Sequence, residues 1–153
     1  MEMVLIAADH AGFALKEGLK EYLERRGIRV KDLGTDSELR CDYPVFASRL
    51  AQEVSKGNYG KGILICNTGI GNSIVANRFP GVRAALCYSL KAARLSREHN
   101  NSNILVLGSA FTDAGLSKRI LDVWLKTRFA GSRHARRLNQ IKEIEKKLKR
   151  SGS

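Results

Sequence analysis

The sequence predicts an α/β protein: a doubly wound, three-layer α/β/α sandwich on a five-stranded parallel, Rossmann-like sheet, with an extra C-terminal helix. Three observations lead there. Short apolar runs rich in Val, Ile and Leu alternate five times with amphipathic helical stretches. The links between them are short, so successive strands run parallel and each pair is crossed by a helix. The longest strand runs are apolar throughout rather than alternating, as burial on both faces requires.

Taken in order, Val4-Leu5-Ile6-Ala7-Ala8 is the first buried strand, and it runs into Asp9-His10-Ala11-Gly12. Leu15, Leu19, Tyr22 and Leu23 then recur at helical spacing; Lys16, Glu17, Lys20, Glu21, Glu24 and Arg25 fall on the wet face, and Gly27 stops the helix. Residues 28–33 are a second strand, closed by Gly34-Thr35. Asp42 as cap and Pro44 in the first turn open a helix whose buried stripe is Ala47, Leu50, Ala51 and Val54, with Gly57 as terminator. Gly62-Ile63-Leu64-Ile65 is the third strand, and residues 74–78 carry the chain on as helix. Residues 82–87 are a fourth strand, 89–98 a helix and 104–108 the fifth strand. A helix over 116–129 has Ile120, Leu121, Val123 and Trp124 to bury. Residues 136–150 place Leu138, Ile141, Ile144 and Leu148 on a narrow stripe that the chain's own body or a second copy must cover.

Length and composition narrow the function classes. A chain of 153 residues reads as one domain, 1–153, with 131–150 as a basic helical extension. The longest apolar run near the N-terminus, residues 3–8, is too short for a signal or membrane segment. Cys41, Cys66 and Cys87 have neither paired nor metal-type spacing, so a reduced, cytoplasmic setting is expected and no metal. The net charge of +12 invites nucleic acid, but residues 128–150 hold nine Lys/Arg against two Glu and so supply +7 of it. No zinc-finger spacing or RNP-type aromatic motif accompanies that tail. It reads as a solvated helix face with a few arginines recruited for a phosphate, and nucleic acid and membrane are set aside as partners.

The chemistry concentrates in Cys66-Asn67-Thr68-Gly69-Ile70-Gly71-Asn72-Ser73. A strand, a glycine-bearing loop and a helix start bring backbone N–H groups together, with a thiol at the lip of the pocket they form. Gly69 and Gly71 do not complete a dinucleotide fingerprint, and no P-loop lysine follows. Taken alone, the octet is also compatible with an ordinary turn holding a buried structural cysteine. Asp9-His10, after the first strand, falls on the same sheet edge, where ligands of such folds bind. His99 precedes the fifth strand and so lies at the opposite edge, ~16 Å away at ~3.3 Å per strand residue. If it is catalytic it serves a neighbouring subunit, most simply in an isologous dimer.

With Asp9-His10, Asp42-Tyr43-Pro44, Cys66-Asn67-Thr68-Gly69-Ile70-Gly71, His99-Asn100 and Gly131-Ser132-Arg133-His134 in view, the chain resembles the type B ribose-5-phosphate isomerases. That family also includes the galactose-6-phosphate isomerase subunits. The resemblance implies cofactor-free interconversion of ribose 5-phosphate and ribulose 5-phosphate through a cis-enediolate, without metal. It implies Cys66 as the base, its thiolate favoured by the helix N-terminus, and an anion hole from the backbone of Asn67, Gly69, Ile70, Gly71 and Asn72. Thr68 would relay a proton, and Asp9 and His99 would serve ring opening. His10, Arg133 and Arg137 would grip the phosphate, Asn100 would orient hydroxyls, and Tyr43 would line the pocket. His134 reads as structural. The implied assembly is a homodimer with a shared active site, with a tetramer as a further step.

Three positions depart from the family pattern. Many relatives carry glycine where this chain has Asn67, and arginine where it has Ala110; Ser132 replaces a second glycine, which reads as the mildest change. These departures keep two alternatives open: an isomerase of a different sugar phosphate, of allose 6-phosphate or galactose 6-phosphate type, or a sugar-phosphate-binding protein without catalysis.

Overall fold

A computed structural model of the chain describes residues 2–152. Its elements are β1 (Val4–Ala8), α1 (Phe13–Arg25), β2 (Val30–Asp32), α2 (Tyr43–Ser55), β3 (Gly62–Cys66), α3 (Ile70–Ala76), β4 (Ala84–Leu86), α4 (Leu90–Asn100), β5 (Ile104–Gly108), α5 (Ala114–Lys126) and α6 (Arg133–Ser151). The strands form one sheet in the order β2-β1-β3-β5-β4, and every pairing is parallel.

Alternation along the strands divides the core into two. Val4, Ile6 and Ala8 of β1, Ile63 and Ile65 of β3, and Leu105 and Leu107 of β5 face Leu19 and Leu23 of α1, Ala93 of α4, and Ile120, Leu121 and Trp124 of α5. Leu5, Ala7, Leu64, Ile104 and Val106 face the other way, onto Ala47, Leu50, Ala51 and Val54 of α2 and Ala76 of α3. Both faces of the three inner strands are therefore dry, which is why their sequences are apolar without interruption. The outer strands β2 and β4 keep only three residues each, shorter than their apolar patterns predict, because a ladder exists on one side only. At the free edge of β4 the Asn77 carboxamide replaces a neighbouring strand. Ala84 N–H donates to Asn77 Oδ1 at 2.8 Å, and Asn77 Nδ2 donates to Ala84 O at 3.0 Å. An edge blocked in this way is a poor template for pairing with another chain.

Two expectations are corrected. Lys16 is not on the wet face of α1; it is fully buried. Its ammonium donates to Asp32 at 2.5 Å and Glu17 at 2.9 Å, and Lys20 also reaches Asp32 at 2.9 Å. Asp32 ends β2 beside α1, so the carboxylate drew the lysine inward and satisfied the charge that burial would otherwise penalise. The helix after β3 begins at Ile70, not residue 74, and spans seven residues. The C-terminal helix α6 is held by its own chain at two points: His134 stacks on His99 with ring centroids 4.2 Å apart, and Gly81 N–H donates to the Glu145 carboxylate at 3.2 Å. Its stripe is nonetheless mostly uncovered, since Ile141, Ile144 and Leu148 are exposed.

Candidate active site

The chain leaves β1 toward β2 on one side and leaves β3 toward β4 on the other, so the sheet's switch point lies between β1 and β3. In sheets of this kind ligands bind where the loops diverge at that point, outside the C-terminal edge. Two glycines let the loops close over it. A Cβ on Gly12 would meet Ile65 O at 2.7 Å, and one on Gly108 would meet Thr68 O at 2.2 Å. The turn after β1 therefore lies on the end of β3, and the Thr68 loop lies on the end of β5. Ser109 ties these loops together: its N–H donates to Cys66 O at 3.0 Å and its hydroxyl to Ala11 O at 3.1 Å.

Cys66 sits beneath the loop rather than at its lip, at 4% exposure. Its surroundings are polar on the loop side. Gly69, in the left-handed region at φ 84, turns the chain back so that its N–H donates to Cys66 Sγ at 3.2 Å. Burial pushes the thiol up, and the nearby Asp9 carboxylate adds to the rise; the backbone N–H groups of Asn72, Gly69 and Thr68 pull the other way without overcoming it. This corrects the expectation of a thiolate favoured at rest, because the depth of the sulfur outweighs the N–H groups around it. Cys87, buried behind β4, is pushed up to about 11 by the same desolvation and is inert.

The other groups at this edge are tightly placed. Asp9 is buried, and its Oδ1 accepts from the N–H groups of Ala11 at 3.0 Å and Gly12 at 3.1 Å. Half of its carboxylate thus serves the turn into α1. His10 Nδ1 lies 3.2 Å from both the N–H and the carbonyl oxygen of Cys41, which fixes the ring against that loop. Thr68 Oγ1 accepts from Ile70 N–H at 3.1 Å. The Tyr43 ring lies on Gly71, where an added Cβ would meet it at 2.4 Å. Asn67 is exposed, and its carbonyl accepts Ala110 N–H at 2.8 Å.

His99, Asn100, Arg133 and Arg137 are not in this group. Cys66 pairs with Gly108 at the end of β5, whereas His99 belongs to α4, five residues before β5 begins. At that far edge His99 stacks on His134. Burial, then His99, Arg133 and Arg137, hold the His134 imidazole below its ordinary value. His99, Arg133 and Arg137 therefore gather around His134, and Asn100 follows His99 at the end of α4.

Tyr88 and Ser109 belong to the site and escaped the sequence reading. Tyr88 donates its hydroxyl to Thr68 O at 2.6 Å and lies against Phe111, centroids 4.8 Å apart. Their only sequence signal is position, just past β4 and β5 on the ligand edge. Among the described residues no group of three or more His, Cys, Asp or Glu side chains could hold a metal ion, and no helix is long and apolar enough to cross a membrane.

Ser132, expected to be a mild change, occupies φ 56, ψ −129 immediately before the arginine-bearing helix. Side chains rarely tolerate that region, and such a residue costs about 1–3 kcal/mol. Ser132→Gly is expected to raise the melting temperature by about 2–4 °C for each kcal/mol released. Calorimetry checks this, and a lower melting temperature would contradict the strain.

Three comparisons bear on this arrangement. Residues 4–141 match the family model described as Ribose/Galactose Isomerase. The chain is 44% identical to ribose-5-phosphate isomerase B of Escherichia coli, over 96% of this chain and 99% of that one. Among solved structures, it is similar to ribose-5-phosphate isomerase B of Clostridium thermocellum, with a TM-score of 0.93, 46% identity, and coverage of 95% and 99%. It is also similar to the Mycoplasma genitalium enzyme of that name with bound ribulose-5-phosphate, with a TM-score of 0.90, 42% identity, and coverage of 94% and 96%.

Proposed function

The chain belongs to the ribose/galactose isomerase family, and from that premise we propose that it interconverts ribose 5-phosphate and ribulose 5-phosphate, with Cys66 as the base. The observation that carries this reading is the Gly69 N–H aimed at the Cys66 sulfur, beside Asp9, at the sheet's switch point. The sulfur removes the proton from the carbon next to the carbonyl and returns it to the neighbouring carbon. As the thiolate takes up that proton its charge passes to the enediolate oxygen. The N–H groups of Thr68, Gly69 and Asn72 then transfer their stabilisation from sulfur to oxygen, so the loop holds one negative charge throughout. One such donor is worth about 2.7–4 kcal/mol where it has been measured in acyl transfer. Thr68 relays a proton, and the free oxygen of Asp9 serves ring opening.

Burial gives the base strength at the expense of its population. A thiolate with a raised pKa is a better proton acceptor, but less of it exists at neutral pH. The base form is the thiolate, so kcat/KM rises with pH, with its limb above the ordinary thiol value of about 8.5. Turnover of ribose 5-phosphate followed across pH tests both points. No turnover, with a hexose 6-phosphate active instead, would move the substrate. A limb below neutral pH would contradict the buried thiol.

The second half of the site comes from a second copy. His99, Asn100, Arg133 and Arg137 lie together at the far edge of the chain, so whichever subunit supplies His99 supplies the arginines with it. The phosphate is held between the His10 imidazole of one chain and the Arg133 and Arg137 guanidiniums of its partner. Exposed Ile70, Ile74 and Phe111 around the loop, and Ile141, Ile144 and Leu148 on α6, give a homodimer apolar surface to bury.

A further inference from the structure

We infer that the Asn72 side chain binds substrate in this same site, its buried Oδ1 accepting a hydrogen bond from a hydroxyl of the sugar phosphate. The inference rests on the isomerase reading. It starts from a group with no structural justification. Asn72 is 1% exposed, and its Oδ1 finds no hydrogen-bond donor among the described residues. Buried polar atoms are almost always paired, and an orphaned acceptor destabilises the fold. A side chain with no polar atom would carry no such penalty.

The place of this acceptor says what it waits for. Asn72 and Ala76 are the buried positions of α3, and Ala76 packs in the core against α2. Asn72 is one turn nearer the loop on the same inward face, and its backbone N–H bears on the Cys66 sulfur. Among the described residues, none of the donors around the loop reaches Asn72 Oδ1. The Asp9 carboxylate holds Ala11 and Gly12, Thr68 Oγ1 holds Ile70 N–H, Thr68 O holds Tyr88, and Gly69 N–H goes to the sulfur. A sugar phosphate brings several O–H donors to this edge. The Tyr43 ring lies on the neighbouring Gly71 and is 38% exposed.

Asn72→Leu removes the acceptor and keeps the branched four-heavy-atom shape, and Asn72→Asp retains an acceptor. Asn72→Leu is expected to lose about ten- to a hundredfold in kcat/KM on ribose 5-phosphate while staying folded by circular dichroism. Asn72→Asp is expected to recover part of the KM and to move the pH limb upward, because it places another carboxylate beside the thiol. A purely structural asparagine would leave the kinetics of both folded variants unchanged. Wild-type kcat/KM in Asn72→Leu overturns the assignment. If the wild type binds ribose 5-phosphate without turning it over, the isomerase reading falls separately. The comparison is then made by calorimetric Kd: weaker binding by Asn72→Leu upholds the role of Asn72, and equal binding removes it. Should Asn72→Leu fail to fold, Asn72→Ala carries the same comparison, and a wild type that binds no ribose 5-phosphate overturns both readings.

Discussion

Cys66→Ala is expected to lower kcat on ribose 5-phosphate by about 10²–10⁴-fold, the usual weight of a positioned general base, with KM within a few-fold of wild type. The two parameters separate because the sulfur and the loop do different work. Alanine removes the proton acceptor, but Gly69, Gly108 and Ser109 still shape the loop, and its N–H groups still face the place where negative charge develops. Binding energy supplied equally to substrate and transition state survives the change, whereas the transfer of the proton does not. Steady-state kinetics decide it. A variant with near-normal kcat would remove Cys66 from the role of base.

Mixing two inactive variants is expected to restore activity. His99→Ala and Cys66→Ala chains each spoil both sites of their own homodimer. A heterodimer of the two has one site with neither group and one with both. If subunits exchange freely at equal concentrations, half the dimers are mixed, and about a quarter of wild-type activity returns. Arg133→Ala should complement Cys66→Ala in the same way, because Arg133 and His99 lie on the same part of the same chain. The measurement is activity against mixing ratio, with exchange verified by mass. No recovery despite exchange would place His99 in the same site as the Cys66 of its own chain, against the distance that the sheet imposes.

Much of this molecule can be read from its residues, and the exceptions have physical causes. The inner strands β1 and β5 and the buried stripe of α2 were legible because burial on fixed faces leaves an unbroken or periodic apolar pattern. The edge strands were overestimated because apolar residues continue past the point where the ladder ends. Lys16 was misassigned because helical spacing gives the face of a residue but not the carboxylate of Asp32 that reaches it from β2. The edge occupied by Asp9, His10 and Cys66 followed from chain order alone. The direction of the thiol shift did not, since sequence shows the N–H groups after a strand and not how deeply the sulfur lies beneath them. Nor could Ser132 be recognised as strained, or Asn72 as unpaired, without dihedral angles and neighbours.

The claim that a thiol moves the substrate's proton is tested most directly by isotope exchange. Ribose 5-phosphate incubated with the wild-type protein in deuterium oxide is predicted to gain deuterium at C2, followed by proton NMR, at a rate that rises with pH. With Cys66→Ala the C2 proton is predicted to persist. Exchange continuing at the wild-type rate in the alanine variant would contradict the account, whatever happened to net turnover.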